Sequence, residues 1–467
     1  MQAHSDDIMP GRGGNSQFGG LDTPEKRKEW WKRLPAKWRK FFRDNVTEVR
    51  RGKADMDTDL QELLNTTSLY IYGEYSDNGK LKPIIPDISG LEHLTNLEEL
   101  TYEQHPAPDF ITLRRLLNLH DLSLSGCKMT TLEGIHLLKG LKDLRVSQNE
   151  LIDITPLQRL KRLEYLSISS NQISDLSPIR NLVHLKDLYI DNNKVSDISA
   201  LSHLENMTCF NAYENEITEI TALKNKPHLT SLYLGQNNIA DLSVFEFIPS
   251  IESLDLSYNE IKSLKGLEYA VDLTYLNLSG NNIVDTNPLR FLEDLTTLCI
   301  SHNPTIQPNS LVDLVNLTSL DIQNNKIADI KFVGKLHNLN TLHIGYNNIT
   351  KINALVSLTH LKYLYANDLK VKNIEALSHL ELLETVSLTN CPITDLKSLS
   401  KLANLRYIYL DRTSIKTIEP LMELTQLAYL SLYDTPVPMA EIEAFKLKNP
   451  ECNVGFTGAS LVEELPF

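Results

Sequence analysis

Ten asparagines, Asn149, Asn171, Asn193, Asn215, Asn237, Asn259, Asn281, Asn303, Asn325 and Asn347, recur at a constant interval of 22 residues, each within the frame L-x-x-L-x-L-x-x-N-x-I. The same phase runs on without insertion to Cys127 on one side and to Leu369, Cys391, Thr413 and Thr435 on the other. Within one unit Leu163, Leu166, Ile168, Asn171, Ile173, Leu176, Ile179 and Leu182 form the inward set. A period of this length cannot close a core of its own, so each unit must be one coil of a solenoid that buries its apolar side by stacking on its neighbours. The alternation Leu166-Ser167-Ile168-Ser169 is strand-like. Successive coils run in the same direction, so their strands form a parallel sheet, and the return half of each coil is the crossover that parallel pairing requires. Segments such as Asp153 to Pro156 and Asp175 to Pro178 are expected to turn the chain on the outer side.

Asparagine suits the inward corner because a sharply turning backbone leaves amide groups facing the core, and one carboxamide both donates and accepts hydrogen bonds. The ten form a structural ladder. Thr413 and Thr435 can keep part of that bonding and Cys127 and Cys391 a weaker part, whereas Leu369 can keep none, which predicts a local irregularity near residue 369. The repeats resemble leucine-rich repeats of the 22-residue class, as in bacterial internalins and the phosphatase-1 regulatory subunit, over roughly residues 85–456. That resemblance implies an α/β solenoid, a curved leucine-rich repeat array whose parallel concave sheet binds another protein without catalysis.

The ends depart from the repeat. Residues 1–22, rich in glycine and polar side chains, read as a disordered N-terminus, and residues 23–66 as a basic, aromatic, helical N-terminal cap. Thr23 and Pro24 start a first helix and Pro35 precedes a second bearing Trp38, Phe41, Phe42 and Val49. Thr58 and Gln61 form an expected capping box for a third, ending at Leu64. An open first coil would leave leucines wet and a strand edge unpaired, so Trp30, Trp31, Leu34, Trp38, Phe41 and Phe42 are expected to cover it. Residues 67–105 read as irregular first coils, with Leu69 to Tyr72 as a strand, Ser76-Asp77-Asn78-Gly79 as a turn and His105 in the ladder position. Repeats of 22 residues fill 106–436, and about sixteen strand frames lie between Leu97 and Leu427. Residues 437–467 form a short C-terminal cap and tail, with a helix over Pro438 to Leu447 and a last strand over Cys452 to Phe456.

Residues 26–53 hold twelve Lys/Arg against Glu29, Asp44 and Glu48, a charge of +9 in a chain of formal charge −14, which leaves −23 for the rest. An acidic solenoid disfavours nucleic acid along the sheet, where a basic stripe would be needed, and favours a basic or amphipathic protein partner. The basic helices offer another reading: a peripheral adaptor that touches membrane or nucleic acid through residues 26–53. Cys127 and Cys391 lie twelve coils apart and Cys209 and Cys299 four, beyond disulfide reach. Unpaired thiols and the lack of a signal-like apolar run in residues 1–20 point to a cytoplasmic protein, with a secreted internalin-like adhesin as the weaker alternative.

Between the inward leucines, alternate residues face outward from the sheet, and thirteen of the eighteen tyrosines stand in those outward columns. Tyrosine combines rigid area with a polar end and is enriched at protein interfaces. The densest group, Tyr363, Tyr365, Tyr407, Tyr409, Tyr429 and Tyr433 with Asp411 and Arg412, is the predicted partner-binding hot spot. A second patch combines Tyr189, Tyr213 and Tyr233 with Asp187, Asp191, Glu214 and Glu216. Phosphate loop, H-E-x-x-H, C-x-x-C and G-x-S-x-G signatures are missing, His302 and His343 have no thiolate or carboxylate at ligand spacing, and Cys299 with His302, a conceivable nucleophile pair, would sit on a shallow solvated sheet without oxyanion donors or excluded water. The expectation is a non-enzymatic protein-protein interaction scaffold without metal, cofactor or small-molecule substrate.

Overall fold

A coil of 22 residues must reverse direction twice, and each reversal has a local cause. A computed structural model describes residues 20–46, 56–75, 81–82, 84–85, 87–108, 110–304 and 306–457. Val49, the Ser76-Asp77-Asn78-Gly79 turn and nearly all of 1–22 lie outside them. In each coil the three-residue strand, such as Tyr165–Ser167, buries its central leucine and turns its flanking residues outward. The chain then bends inward through one left-handed residue. From Gln104 to Asp434, every twenty-second residue has φ between 51° and 70°. The second reversal is a single 3-10 turn, such as Thr155–Arg159 or Ser177–Ile179, with proline in its first turn. The preceding aspartate helps to form it: Asp153 Oδ1 accepts from the Thr155 amide at 2.7 Å and Asp175 Oδ1 from that of Ser177 at 2.7 Å. The crossover is thus about one turn long, 3-10 in nearly every coil and a four-residue α-helical turn at Phe110–Leu113.

The chain resolves into two compact units, Met1–Met207 and Thr208–Phe467. The first unit opens with helices α1 (Pro24–Arg33), α2 (Ala36–Asn45) and α3 (Met56–Leu64). Thr23 caps α1 by accepting from the Lys26 amide. Thr58 does not cap α3 as expected: it lies inside that helix, and Gln61 instead donates to Asp57 Oδ2 at 2.8 Å. Trp30, Trp31, Trp38, Phe41 and Phe42 are all buried. Trp38 donates from its indole to the Asp87 carbonyl at 3.0 Å, and its ring lies so close to Gly90 that a Cβ there would come within 2.4 Å of it. The helices therefore rest on the first coil. Arg27, one of the twelve basic residues counted over 26–53, is buried in a bidentate pair with Asp57 at 2.7 and 2.8 Å. That pairing holds the Asp57 carboxyl below its ordinary range.

Parallel strands Ser68–Tyr72, Glu99–Glu103, Asp121–Ser123, Asp143–Arg145, Tyr165–Ser167 and Asp187–Tyr189 follow, each pairing with the next. A short antiparallel pair, Glu74–Tyr75 with Leu81–Lys82, is an insertion the period did not announce. The second unit carries strands from Cys209–Asn211 to Tyr429–Leu432, each in register with the next at an offset of 22. Helix Met439–Lys448 then leads into strand Asn453–Phe456, which pairs parallel with Tyr429–Leu432 and covers its edge. In both units the sheet is parallel and the interior is leucine and isoleucine, the architecture of an α/β solenoid.

Candidate protein-binding face

The inner corner is where each coil is locked. Asn171 Nδ2 donates to the carbonyls of Val146, Ile168 and Ser169 at 3.1, 2.9 and 3.1 Å, and its Oδ1 accepts from the Leu151 amide at 3.0 Å. Asn281 repeats the pattern with Leu256, Leu278, Ser279 and the Ile261 amide at 2.9, 3.0, 3.3 and 3.0 Å. One carboxamide thus ties each coil to the preceding one. The other ladder asparagines, Asn149, Asn193, Asn215, Asn237, Asn259, Asn303, Asn325 and Asn347, stand at the same corner and donate to the same type of inward carbonyl. His105 serves in this column through its ring: Nδ1 lies 2.7 Å from the Glu103 carbonyl and Nε2 accepts from the Ile84 amide at 3.2 Å. Its burial lowers the imidazole pKa and keeps the ring neutral. Thr413 keeps one bond, to the Leu410 carbonyl at 2.6 Å, and Cys391 directs its thiol to the Ala366 carbonyl at 3.1 Å.

The irregularity expected at Leu369 is not there. Asp368 has the same left-handed φ, 54°, and the Lys370 amide reaches the Ile349 carbonyl at 3.0 Å, as Asn348 reaches Ile327 at 2.8 Å. The buried Leu369 side chain fills the corner, and the sheet register continues on both sides. Paired neighbours fix this backbone even where the carboxamide is lost.

Outward positions tell the two units apart. None of the thirteen outward tyrosines is buried. In the first unit, Arg145 lies 4.7 Å over the Tyr165 ring and pairs with Asp121 at 3.2 Å and Asp143 at 2.8 Å, while Tyr165 packs against Tyr189 at 5.2 Å. Asp143 is pushed up to about 6, first by burial and then by the charge of Asp121, and its Oδ1 has no hydrogen-bond partner. Sequence reasoning missed this cluster, although the aspartates at 121, 143 and 187 share one column and signalled it. The second predicted patch divides between the units. Tyr189 belongs to the first; in the second, Tyr213 bonds the Gln236 amide group at 2.5 Å and Tyr233 accepts from Ser253 at 3.3 Å.

The predicted hot spot falls wholly within the second unit. Tyr363 and Tyr365 pair in register with Thr385 and Ser387, which pair with Tyr407 and Tyr409, and Tyr407 pairs with Tyr429. Tyr365 stacks on His343 at 4.3 Å and Tyr409 packs on Tyr429 at 5.5 Å. Asp411 accepts from the Ser431 hydroxyl at 2.5 Å and the Tyr433 amide at 2.8 Å, and Arg412 is exposed. Tyr407 and Tyr433 remain 41% and 40% exposed. His302 meets Asn324 at 2.8 Å, and burial pushes the Cys299 thiol up to about 11, where it stays protonated. All five cysteines are free thiols. Among the described residues no group of three or more His, Cys, Asp or Glu side chains is placed to share a metal ion, and no helix is long and apolar enough to cross a membrane.

The 22-residue coil, its corner ladder and its parallel sheet define a leucine-rich repeat solenoid. Models of leucine-rich repeats match residues 161–203, 227–283 and 315–357. Among solved structures, an internalin of Listeria monocytogenes is 29% identical over 65% of this chain and 84% of its own, with a TM-score of 0.55. A leucine-rich repeat protein of Leptospira interrogans is 26% identical over 75% of this chain and 93% of its own, with a TM-score of 0.69. The ectodomain of the Arabidopsis receptor kinase HAESA, solved with a peptide hormone ligand, is 21% identical over 85% and 70%, with a TM-score of 0.61, a likeness of fold. No curated protein matches the sequence. The chain carries leucine-rich repeats and is similar to an internalin.

Proposed function

We propose that this protein is a non-catalytic interaction scaffold that binds a basic or amphipathic protein partner through its outward, tyrosine-rich and acidic sheet face. One observation carries the reading: Tyr363, Tyr365, Tyr407, Tyr409, Tyr429 and Tyr433 crowd three of four consecutive strands without being buried. Aromatic area held rigid by its own neighbours loses little entropy on binding, the property of a hot spot. A parallel sheet with solvated outward side chains offers neither excluded water nor converging donors, which supports a binding role over a catalytic one. Five free thiols support a reducing compartment, the cytoplasm. Burial of the five aromatic rings of α1 and α2 and of Arg27 supports a capping role for these helices over membrane insertion.

The test is affinity capture from native lysate by the parent and by the triple variant Tyr365→Ala, Tyr409→Ala, Tyr433→Ala, with circular dichroism and melting as controls. Proteins recovered with the parent should vanish with the variant while melting is nearly unchanged; equal recovery removes the proposal.

A further inference from the structure

Thr385–Ser387 is the only described three-residue strand of the sheet whose two outward residues are both buried, 6% and 5% exposed, where the others leave at least one outward residue half open. The cause is on either side. Tyr363 and Tyr365 stand on the strand before it and Tyr407 and Tyr409 on the strand after it, so two small hydroxyl side chains lie between tyrosines on both sides. The result is a shallow trough one strand wide, with a volume of about 440 Å³, floored by Thr385 and Ser387, walled by Tyr365, Tyr407 and Tyr409 and lined also by Asn367, whose Oδ1 accepts from the Ser387 hydroxyl. The walls are braced from behind. Tyr365 stacks on His343 with ring planes 14° apart, and Tyr409 rests against Tyr429, which leaves each wall one ring face toward the trough.

We infer that this trough receives one cationic side chain of the protein partner, an arginine before a lysine, so the inference rests on the binding function proposed above. Two strand spacings separate the walls by about 9.6 Å, and a cation at the midpoint would lie about 4.8 Å from each. This is inside the roughly 6 Å over which an aromatic face attracts a cation. The floor adds hydroxyl oxygens that accept hydrogen bonds from a guanidinium, which an apolar side chain would cover without replacing. Charge agrees. Glu384, Asp368, Asp411 and Asp434 lie on or beside these strands against Lys362, Arg406 and Arg412, a net charge of −1, and Lys362 is already paired with Glu384 at 3.2 Å. Glu384 also accepts from the Tyr363 hydroxyl at 3.2 Å.

The probe is the peptide acetyl-Gly-Arg-Gly-amide, titrated into the full chain while the tyrosine ring signals are followed by NMR, beside its citrulline and phenylalanine counterparts and choline chloride. The arginine peptide should shift Tyr365, Tyr407 and Tyr409, and the neutral citrulline isostere should bind at least tenfold more weakly. Thr385→Trp, which fills the trough, should abolish the shifts, and Tyr407→Leu, at a position 41% exposed, should weaken them severalfold with melting nearly unchanged. Equal binding of arginine and citrulline, or preference for phenylalanine, overturns the cation site while leaving the sheet as a protein-binding face. Binding of choline without arginine overturns it in favour of a lipid headgroup. Shifts with none of the four overturn it as well, and the fate of the wider binding reading then follows from the alanine capture experiment alone.

Discussion

Two stretches of sheet with the same backbone have been finished differently. On Asp121–Ser123 through Asp187–Tyr189 the outward side chains satisfy one another: Arg145 is shared between Asp121, Asp143 and the Tyr165 face. On Tyr363–Tyr365 through Tyr429–Leu432 the rings brace one another but keep free faces over a small, hydroxylated floor. The interior columns are nearly identical in both. A solenoid separates its tasks by column, so the inward columns are held by packing and the outward ones are free to specialise.

The largest expected effect tests whether the interiors are equivalent. Asn171→Ala in the first unit and Asn281→Ala in the second each leave one buried backbone amide without a bond and remove one of two donors from each of three carbonyls. At about 1 to 3 kcal/mol for the amide left without a bond and about 1 kcal/mol for each of the three donations lost, partly relieved by relaxation, either change should cost about 3 kcal/mol by urea unfolding. Markedly unequal losses would break the comparison.

How much of this was legible follows from the same division by column. The period, the asparagine ladder, both caps and the outward set could be read because each depends on residues at fixed separation. The trough could not: Thr385 and Ser387 are unremarkable until the tyrosines of two neighbouring strands flank them. The Glu74–Tyr75 insertion and the burial of Arg27 against Asp57 depend on non-repeating contacts, and the start of α3 was misplaced because Thr58 matched a capping pattern inside a helix. Leu369 misled in the other direction, since a lost ladder residue was expected to disturb a backbone that its neighbours hold.

The first unit should also betray its saturated face by titration. Asp143 is raised from 3.8 to about 6, so the native state binds more protons than the unfolded chain in that window, and stability falls as pH rises through it. After allowance for solvent around this half-buried carboxylate, the loss is about 1 kcal/mol, and Asp143→Asn should remove it. His105 acts oppositely: its pKa is lowered from 6.5, so stability falls as pH drops below 6.5. Unfolding of the parent and Asp143→Asn followed between pH 4 and 7, roughly the span of both ordinary values, separates the two. A difference that is flat with pH would mean the carboxylate is not shielded by its neighbours.

The smallest effect bears on why the outward columns differ at all. The left-handed column holds Asn192, Asn324, Asn390, Asp368, Asp434, Gly126 and Gly280, residues that tolerate that conformation, yet also Tyr258 and Tyr346 at φ 52° and 56°. A bulky ring there costs roughly 1 kcal/mol relative to asparagine. Both rings stand more than half exposed, so folding does not recover that cost by burying them. Tyr346→Asn should therefore stabilise the chain by up to about 1 kcal/mol, whereas the same change at a ring that packs on its neighbour should not. Tyr258 supplies the control, because its ring lies against Gly280, where a Cβ would come within 2.5 Å of it, and Tyr258→Asn gives up that contact as it relieves the backbone. If Tyr346→Asn gains stability and Tyr258→Asn does not, the strain at 346 is held by a demand outside the fold, and a partner on the sheet face is the demand this surface offers. If both lose stability, the rings belong to the solenoid's own packing and the outward columns are less free than the comparison holds.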